Sequence, residues 1–314
     1  MTEPSPRPFF IDTDTASDDA VALAMALRHP EVEVVGIGVV AGNVPLDMAL
    51  QNALYTRELC ERTDVSVYAG ADAPLSIPLD TAQNVHGIDG MGDNGLALDG
   101  RTPDPGHAVE QLLAASHAHA GELTLVTLGP LTNVARALQA DPTLPERVPR
   151  TVIMGAVADH IGNITPTAEF NMWCDPHAVD VVVRSGLAVE FVGWDISRKH
   201  AVVTTDVADG LRALGPLGEF AIGIQGTVAA FCATETKLDG FDVPDPITLA
   251  YAIDPAVATE TRRLHVAVET ESELTRGTVV MDVLGLTHHE PNALVVTAAD
   301  DARFLAILRA ALTP

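Results

Sequence analysis

The sequence of 314 residues contains few cysteines, few aromatic residues and few basic residues. Its three cysteines, Cys60, Cys174 and Cys232, lack the paired spacing of a disulfide framework or a zinc site, so buried free thiols are predicted. The 18 lysine and arginine residues stand against 43 aspartate and glutamate residues, a formal net charge of -25. Nucleic-acid-binding proteins need a basic surface that displaces counterions, so this charge argues against a nucleic acid partner and favours a small neutral ligand.

The sequence also lacks any apolar run near the roughly 20 residues that span a bilayer. Its first eight residues lack the basic start and apolar centre of a signal peptide, so a cytoplasmic protein without a membrane partner is predicted. Pro4, Pro6 and Pro8 interrupt backbone hydrogen bonding, which predicts a flexible N-terminal tail over residues 1–8. No linker, composition break or repeat divides the remainder, so residues 9–314 are predicted to form one domain.

Several short, mostly apolar segments that read as strands alternate with helical stretches, for example residues 124–128 and 187–192. Strands that are apolar on both faces are typical of a parallel sheet covered by helices on both sides. The predicted fold class is therefore α/β, with an open, mostly parallel, Rossmann-like sheet. In such sheets ligands bind at the C-terminal ends of the strands, where a functional site is expected.

Four carboxylates lie within eight residues directly after the apolar segment 9–11: Asp12, Asp14, Asp18 and Asp19. Each charge disfavours its neighbours' charged form unless a cation or a donor network offsets the repulsion. Asp18 and Asp19 have an alternative role, because acids in the first turn of a helix complement its N-terminus, and a helix capped by Ser17 is predicted to run to His29. Asp12 and Asp14 precede that helix. An aspartate cluster without cysteine or histidine spacing favours a hard cation such as calcium or magnesium.

An Asp-x-Asp-x-Thr segment after a first strand resembles two classes of metal-dependent hydrolase. One class is the magnesium-dependent phosphatases of haloacid-dehalogenase type, which need a downstream lysine followed by a second acidic cluster. This chain has only Lys199 and Lys237, and Gly92-Asp93 precedes both. The order of these residues disfavours a phosphatase, which stays as an alternative.

The second class is the nucleoside hydrolase family, whose motifs are resembled in the right order by the aspartate cluster and by six further separated segments. The aspartate cluster extends to Ala20. The other matching segments early in the chain are 34–43, which ends in Asn43, and 86–92, which begins with His86-Gly87. Further along are 128–133, from Leu128 to Asn133, then 162–176, with Asn163, Glu169 and Asn171, and finally 244–246 and 274–280. The chain is therefore similar to the inosine/uridine-preferring nucleoside hydrolases over nearly its whole length.

The resemblance implies a calcium-dependent N-ribohydrolase, in which a calcium-bound water splits a ribonucleoside into ribose and free base. It implies metal ligands at Asp12, Asp19, the backbone carbonyl of Leu128, and Asp245. Asp12 is predicted to be the general base, with Asp14 in support. It also implies a homodimer or homotetramer. The residues predicted to contact the nucleoside are Asp18, Asn43, His86, Asn163, Glu169, Asn171 and Trp194.

One position departs from the family pattern. Many nucleoside hydrolases have a histidine, implicated in protonating the leaving base, where this chain has Pro244. The chain's other candidates for that proton are His86, His160, Asp159 and Trp194, although Trp194 also fits a stacking contact with the base or a place in the core. Alternatively, the preferred substrate needs less acid assistance, or the chain is a non-catalytic nucleoside- or ribose-binding protein. The identity of the base is left open by the sequence.

Overall fold

A central sheet of eight strands organises the computed structural model, which describes residues 5–314. The strands of the described chain are β1 (Arg7–Thr13), β2 (Val32–Val39), β3 (Val67–Ala69), β4 (Thr124–Thr127), β5 (Arg150–Met154), β6 (Val189–Val192), β7 (Val202–Val203), β8 (Phe241–Asp242), β9 (Ala258–Leu264), β10 (Val266–Val268), β11 (Val279–Met281) and β12 (Ala293–Ala299). The order in the central sheet is β3-β2-β1-β4-β5-β6-β12-β9. Its pairings are parallel except that of β12 with the edge strand β9, which confirms the predicted open, mostly parallel sheet.

Helices connect the strands and cover both faces of the sheet. They are α1 (Ser17–Arg28), α2 (Leu46–Leu59), α3 (Gln83–His86), α4 (Ala108–Ala118), α5 (Thr132–Ala140), α6 (Phe170–Cys174), α7 (Pro176–Arg184), α8 (Trp194–His200), α9 (Thr205–Arg212), α10 (Pro216–Gly223), α11 (Gly226–Phe231), α12 (Pro244–Ile253) and α13 (Asp301–Leu312). A π-helical turn, Cys232–Thr236, continues α11. Short 3-10 turns lie at Leu144–Glu146 and Pro255–Val257.

The alternation of side chains along β1 divides the core into two layers. Phe9 and Ile11 pack into a cluster that contains the apolar residues of α1 and α12. Phe10 points to the opposite face and packs with residues of α4, α5 and α7. All three side chains are fully or almost fully buried, and burying each such side chain stabilises the fold by about 1.5–3 kcal/mol. The central strands are therefore mostly apolar, because helices cover both faces of the sheet.

The first strand begins inside the segment that was predicted to be a tail. Arg7 lies in β1, its N–H donates to Glu31 O at 2.8 Å, and its guanidinium donates to the carbonyls of Ala252 and Ile253. Pro8 is compatible with the strand because β1 pairs with β4 only from Phe9 onward. Residues 1–4 of the predicted tail lie outside the described residues.

Two further predictions about the chain can be compared with the structure. Helix α1 begins at Ser17 and ends at Arg28, but its N-cap position is Ala16 rather than Ser17. The three cysteines are buried free thiols, as predicted. Within residues 5–314, no single helix is long and apolar enough to cross a bilayer. The bent pair Pro216–Gly223 and Gly226–Thr236 meets that test only by length and composition, and its residues Ile222 and Val228 belong to the buried core.

Candidate active site

The site lies where three parallel strands end and α12 begins. The segment after β1 carries Asp14 and continues into the first turn of α1, Asn43 follows β2, and Leu128 follows β4. Asp245 comes from the first turn of α12, more than two hundred residues further along the chain. These elements meet because neighbouring parallel strands direct their C-terminal ends to one edge of the sheet.

A group of four buried carboxylates forms at this edge, and we call Asp14, Asp18, Asp19 and Asp245 the carboxylate group. Carboxylate oxygens of Asp18, Asp19 and Asp245 all lie within 4.8 Å of one another. Asp14 and Asp19 are fixed by donors, since the Asn43 N–H donates to Asp14 Oδ2 at 2.6 Å and Thr13 Oγ1 donates to Asp19 Oδ1 at 2.6 Å. These donors thus help to hold the carboxylates close together.

The raised pKa values and unpartnered oxygens of the carboxylate group favour the binding of a cation. Burial raises the pKa of each member, to about 6 for Asp18, and the neighbouring carboxylates raise the pKa values of Asp14, Asp19 and Asp245 further. Asp14 Oδ1 and Asp18 Oδ1 are buried without a hydrogen-bond partner among the described residues. Oxygen ligands in this number and arrangement fit a hard divalent cation, which would satisfy these oxygens and favour the ionised carboxylates.

Asp12, which was predicted to be a metal ligand and general base, lies apart from the carboxylate group. Its Oδ2 accepts a hydrogen bond from Asn133 Nδ2 at 2.9 Å, beneath the group and next to Gly38 of β2. Burial raises the pKa of Asp12 to about 7, the Asn133 hydrogen bond opposes that rise, and no neighbouring carboxylate contributes to it. Asp14, unlike Asp12, is therefore coupled electrostatically to Asp19 and Asp18.

The other residues predicted around the sugar are brought to the same edge. The carbonyl of Leu128 accepts a hydrogen bond from Asn171 Nδ2 at 2.7 Å, which leaves the second lone pair of that oxygen for another partner. Glu169 caps α6 by accepting N–H bonds from Asn171 and Met172, and burial raises its pKa to about 7. Asn43 Nδ2 also donates to Asp19 at 3.3 Å.

A cavity of about 150 Å³ opens above the carboxylate group. Its polar lining residues, which we call the polar floor, are Asp18, Asn43, Glu169, Asn171 and Asp245, and two of them belong to the carboxylate group. Val85, Ile164, Phe170, Val228 and Phe231 are among its apolar lining residues, and His86, Asn163 and Trp194 line the cavity as well. A lining of both kinds suits a ligand with a hydroxylated part and an apolar part.

The three remaining predicted contacts differ in their surroundings. His86 is buried, its Nδ1 lies 2.9 Å from Ser17 Oγ and 3.7 Å from Asp18 Oδ1, and burial lowers its pKa to about 4. Trp194 is buried with the Arg198 guanidinium 4.4 Å from its ring centre. Asn163 lies on an exposed segment at the cavity rim.

Pro244 lines the cavity and has no proton to give to the leaving base. The other candidate proton donors fall into two sets. His86 and Trp194 line the cavity, whereas Asp159 and His160 are not among its lining residues. His160 is exposed, and Asp159 forms ion pairs with Arg198 and Lys199 at 2.9 and 3.1 Å. Burial raises the pKa of Asp159, but the hydrogen bond from Lys199 and the charge of Arg198 outweigh it, and its pKa lies below the ordinary value. Asp159 is thus a poor proton donor.

Asp242 is a cavity residue that the sequence analysis missed. It ends β8, lines the cavity, and accepts a hydrogen bond from Ser197 Oγ at 2.6 Å. Burial raises its pKa. Its position three residues before Asp245, at the end of a short apolar segment, was the available signal.

The fold and the site define a hydrolase-like α/β domain with a buried oxygen-ligand cluster under a cavity. The family model described as "inosine-uridine preferring nucleoside hydrolase" matches residues 9–306. The chain belongs to this family. This membership removes the haloacid-dehalogenase alternative.

Relatives and solved structures agree with this assignment. The chain is 36% identical over 303 residues to the pyrimidine-specific ribonucleoside hydrolase RihA of Salmonella gallinarum, covering 96% of each chain. It is similar to a plant nucleoside hydrolase, PpNRh1, with a TM-score of 0.90, 30% identity, and coverage of 98% of this chain and 99% of that one. A purine-preferring ribonucleoside hydrolase from Gardnerella vaginalis matches with a TM-score of 0.90, 28% identity and 98% coverage of both chains.

Proposed function

We propose that this protein hydrolyses the N-glycosidic bond of ribonucleosides to ribose and free base, at the cavity above the carboxylate group. The observation that carries the proposal is the buried group Asp14, Asp18, Asp19 and Asp245, with two carboxylate oxygens that lack a hydrogen-bond partner among the described residues. Family membership supports the reaction class. The purine-preferring and pyrimidine-specific relatives differ in base, so no base is assigned.

The residues fit a bound calcium ion, with Asp14, Asp19, Asp245 and the Leu128 carbonyl as its proposed ligands. When bound there, the cation would supply a water of lowered pKa. Asp14 takes the proton of the attacking water as general base, because it lies in the carboxylate group. Asp12 Oδ1 also lacks a hydrogen-bond partner among the described residues, but Asn133 holds the other oxygen of Asp12 outside the group. Anionic oxygens around the sugar also stabilise the positive charge that develops as the glycosidic bond breaks.

The polar floor binds and orients the ribose. Its hydroxyls meet acceptors and amides at Asp18, Asn43, Glu169 and Asn171, and Asn163 closes the rim. The base occupies the apolar upper part near His86 and Trp194. Asp12 supports the site from below by holding Asn133, whose Oδ1 accepts the Ala71 N–H.

Three further statements about the protein belong to this proposal. The protein assembles as a homodimer or homotetramer, functions in purine or pyrimidine salvage, and is located in the cytoplasm. Sedimentation and cell fractionation test the first and the third.

The direct test is to incubate the purified protein with inosine, adenosine, guanosine, uridine and cytidine and to measure released ribose, with and without a calcium chelator. Asp14→Asn is expected to lose at least about 10²-fold in kcat/KM, the usual scale of a missing general base, and to bind calcium more weakly by calorimetry. Asp12→Asn is expected to retain calcium binding, because the carboxylate of Asp12 lies outside the carboxylate group.

The outcomes separate the candidate functions. Chelator-sensitive ribose release that is lost in Asp14→Asn supports the hydrolase. Nucleoside binding without ribose release from any substrate would contradict it and identify a binding protein. Loss of calcium affinity in Asp12→Asn but not in Asp14→Asn would reverse the two assignments.

A further inference from the structure

The large aliphatic side chains exposed on the described surface fall into two sets. Ile88, Ile161 and Ile164 lie beside the cavity, on the segments that also carry His86 and Asn163, so closure over a ligand accounts for them. A second set lies on the β10–β11 hairpin and the turn that follows it, and the active site does not account for it: Leu274, Val280, Val283, Leu284 and Leu286. Leu284 and Leu286 are 79% and 74% exposed. Exposing two neighbouring leucines of one turn to water is unfavourable in free energy.

The turn 282–287 adjoins the free edge of the central sheet. Arg262 of the edge strand β9 donates from Nη2 to Val283 O at 3.2 Å and so attaches the turn to the strand. Residues 259–263 of β9 are exposed on both faces of the strand. A seven-residue edge strand presents backbone N–H and C=O groups to a further strand. The edge and the leucines therefore form one surface, which we call the β9 surface.

The charges along β9 indicate which partner fits this surface. Two copies of a chain with a net charge of -25 repel each other, yet residues 259–263 carry one acid, Glu260, and two bases, Arg262 and Arg263. If two β9 strands pair antiparallel about a two-fold axis at Thr261, Glu260 of each copy lies opposite Arg262 of the other. Opposite charges in facing positions stabilise a strand pair, and a two-fold contact forms both pairs at once.

We propose that the β9 surface is a two-fold interface between two copies of this chain, in which the β9 strands pair and Leu284 and Leu286 are buried beside them. This proposal rests on the homo-oligomer put forward under the proposed function and is independent of the hydrolysis itself. The pairing continues the sheet from one copy into the other and removes its free edge. The carboxylate group and the cavity are complete within one copy, so the interface is not needed to build the site.

The test is a charge exchange, with assembly measured by sedimentation equilibrium over a range of concentrations. Glu260→Arg places arginines at both 260 and 262, and Arg262→Glu places acids at both, so each variant alone opposes like charges twice. We expect the dissociation constant across this interface to be at least tenfold higher in each variant than in the native protein. A dimer would then dissociate to monomers, and a tetramer to dimers. An equimolar mixture restores the assembly, because each facing pair then joins an arginine to a glutamate.

Matched controls separate this interface from general effects of charge and folding. Glu122→Arg and Arg212→Glu make the same charge changes at exposed positions away from β9, and both are expected to assemble like the native protein. Leu284→Asp is expected to dissociate the assembly without altering β9. Thermal unfolding and ribose release are measured for every variant, so a loss of assembly with native unfolding and native turnover identifies the interface alone.

Three results would overturn the proposal. They are a native protein that stays monomeric at all concentrations, single charge variants that assemble normally, and a mixture of the two variants that fails to associate. Association of the native β9 surface only with a different protein would overturn it as well.

Discussion

Pro244 occupies the position at which the resemblance to the nucleoside hydrolases implies a histidine in many family members. It begins α12 directly before Asp245 and lines the cavity, but it has no proton to give. Of the histidines, His86 lines the cavity, and burial keeps it neutral at pH 7 by lowering its pKa to about 4. The departure of an unactivated base is therefore expected to be poorly assisted.

We expect Pro244→His to raise kcat/KM for inosine or uridine by about 10-fold or more, within the roughly 10² to 10⁴ range of general acid catalysis. A proline in the first turn of a helix donates no intrahelical hydrogen bond, so the helix tolerates its replacement. Hydrolysis of 4-nitrophenyl riboside, whose leaving group needs no proton, should stay unchanged. Pro216→His, at the start of α10, is the control, and an equal rise with both substrates would argue against proton donation.

Glu169 makes the stability of the protein depend on pH. Its folded-state pKa of about 7 lies above the ordinary value of 4.5, with burial as the main cause, so the folded state binds the proton more tightly than the unfolded chain does. The resulting stability is fully present below about pH 4.5 and is lost as the pH rises through 7. At about 1.36 kcal/mol per pKa unit, the loss is on the order of 3 kcal/mol.

The measurement is urea unfolding of the calcium-free protein at pH 5 and pH 8. The free energy of unfolding of the native protein is expected to fall more between these values than that of Glu169→Gln, whose amide does not titrate. Identical pH dependence in the two proteins would show that Glu169 does not carry the effect.

The aspartate motif shows what a residue pattern can and cannot predict. Spacing identified four acids, and the structure places three of them, together with Asp245, in one group. It could not tell Asp12 from Asp14, because β1 ends at Thr13 and the chain turns there, so side-chain alternation no longer holds. The donor that holds Asp12 apart, Asn133, lies 121 residues away along the chain.

Among the elements, the turns that follow the strands need small residues to let the carboxylate group form. A Cβ atom on Gly42 would lie 2.1 Å from Asp14 Oδ2, and one on Gly129 would lie 2.6 Å from Asp14 Oδ1 and 2.9 Å from the Asp14 backbone nitrogen. Asp14 is thus enclosed by the turns after β2 and β4. The glycines set the space into which its carboxylate fits.

We expect Gly129→Ala to reduce ribose release at least tenfold and to lower the midpoint of thermal unfolding, because either Asp14 or the turn must move. Gly226→Ala is the matched control, since a Cβ atom there meets nothing within 4 Å and alanine favours the start of α11. Turnover and thermal unfolding are measured for both variants. A Gly129→Ala protein with native turnover would mean that Asp14 needs no fixed position.

Elements close to a motif were predictable, and elements that pack by distant contacts were not. Residues 9–11, 124–128 and 187–192 lie on or overlap β1, β4 and β6, because buried parallel strands have an apolar composition that is visible locally. The antiparallel edge strand β9 is exposed and polar, and its place depends on pairing with β12. The cavity walls from α11 and Asp242 likewise depend on tertiary packing rather than on local pattern.

At the scale of the whole molecule, a net charge of -25 on 314 residues destabilises the compact state by self-repulsion. Salt screens exposed charges, with a Debye length of about 10 Å at 0.1 M. Raising NaCl from about 0.05 to 0.5 M is therefore expected to raise the midpoint of thermal unfolding of the calcium-free protein. Choline chloride at the same ionic strength should act equally, and a lower midpoint in both salts would show that attractive ion pairs outweigh the repulsion.

The carboxylate group also joins the beginning of the chain to its last third, because Asp14 and Asp19 meet Asp245 only when α12 has docked against α1. A partly folded chain without that docking offers an incomplete set of ligands. Calcium should then lengthen the lifetime of the native state by slowing unfolding, and should leave the rate of folding almost unchanged. The complete metal site would therefore form late in folding and be lost early in unfolding.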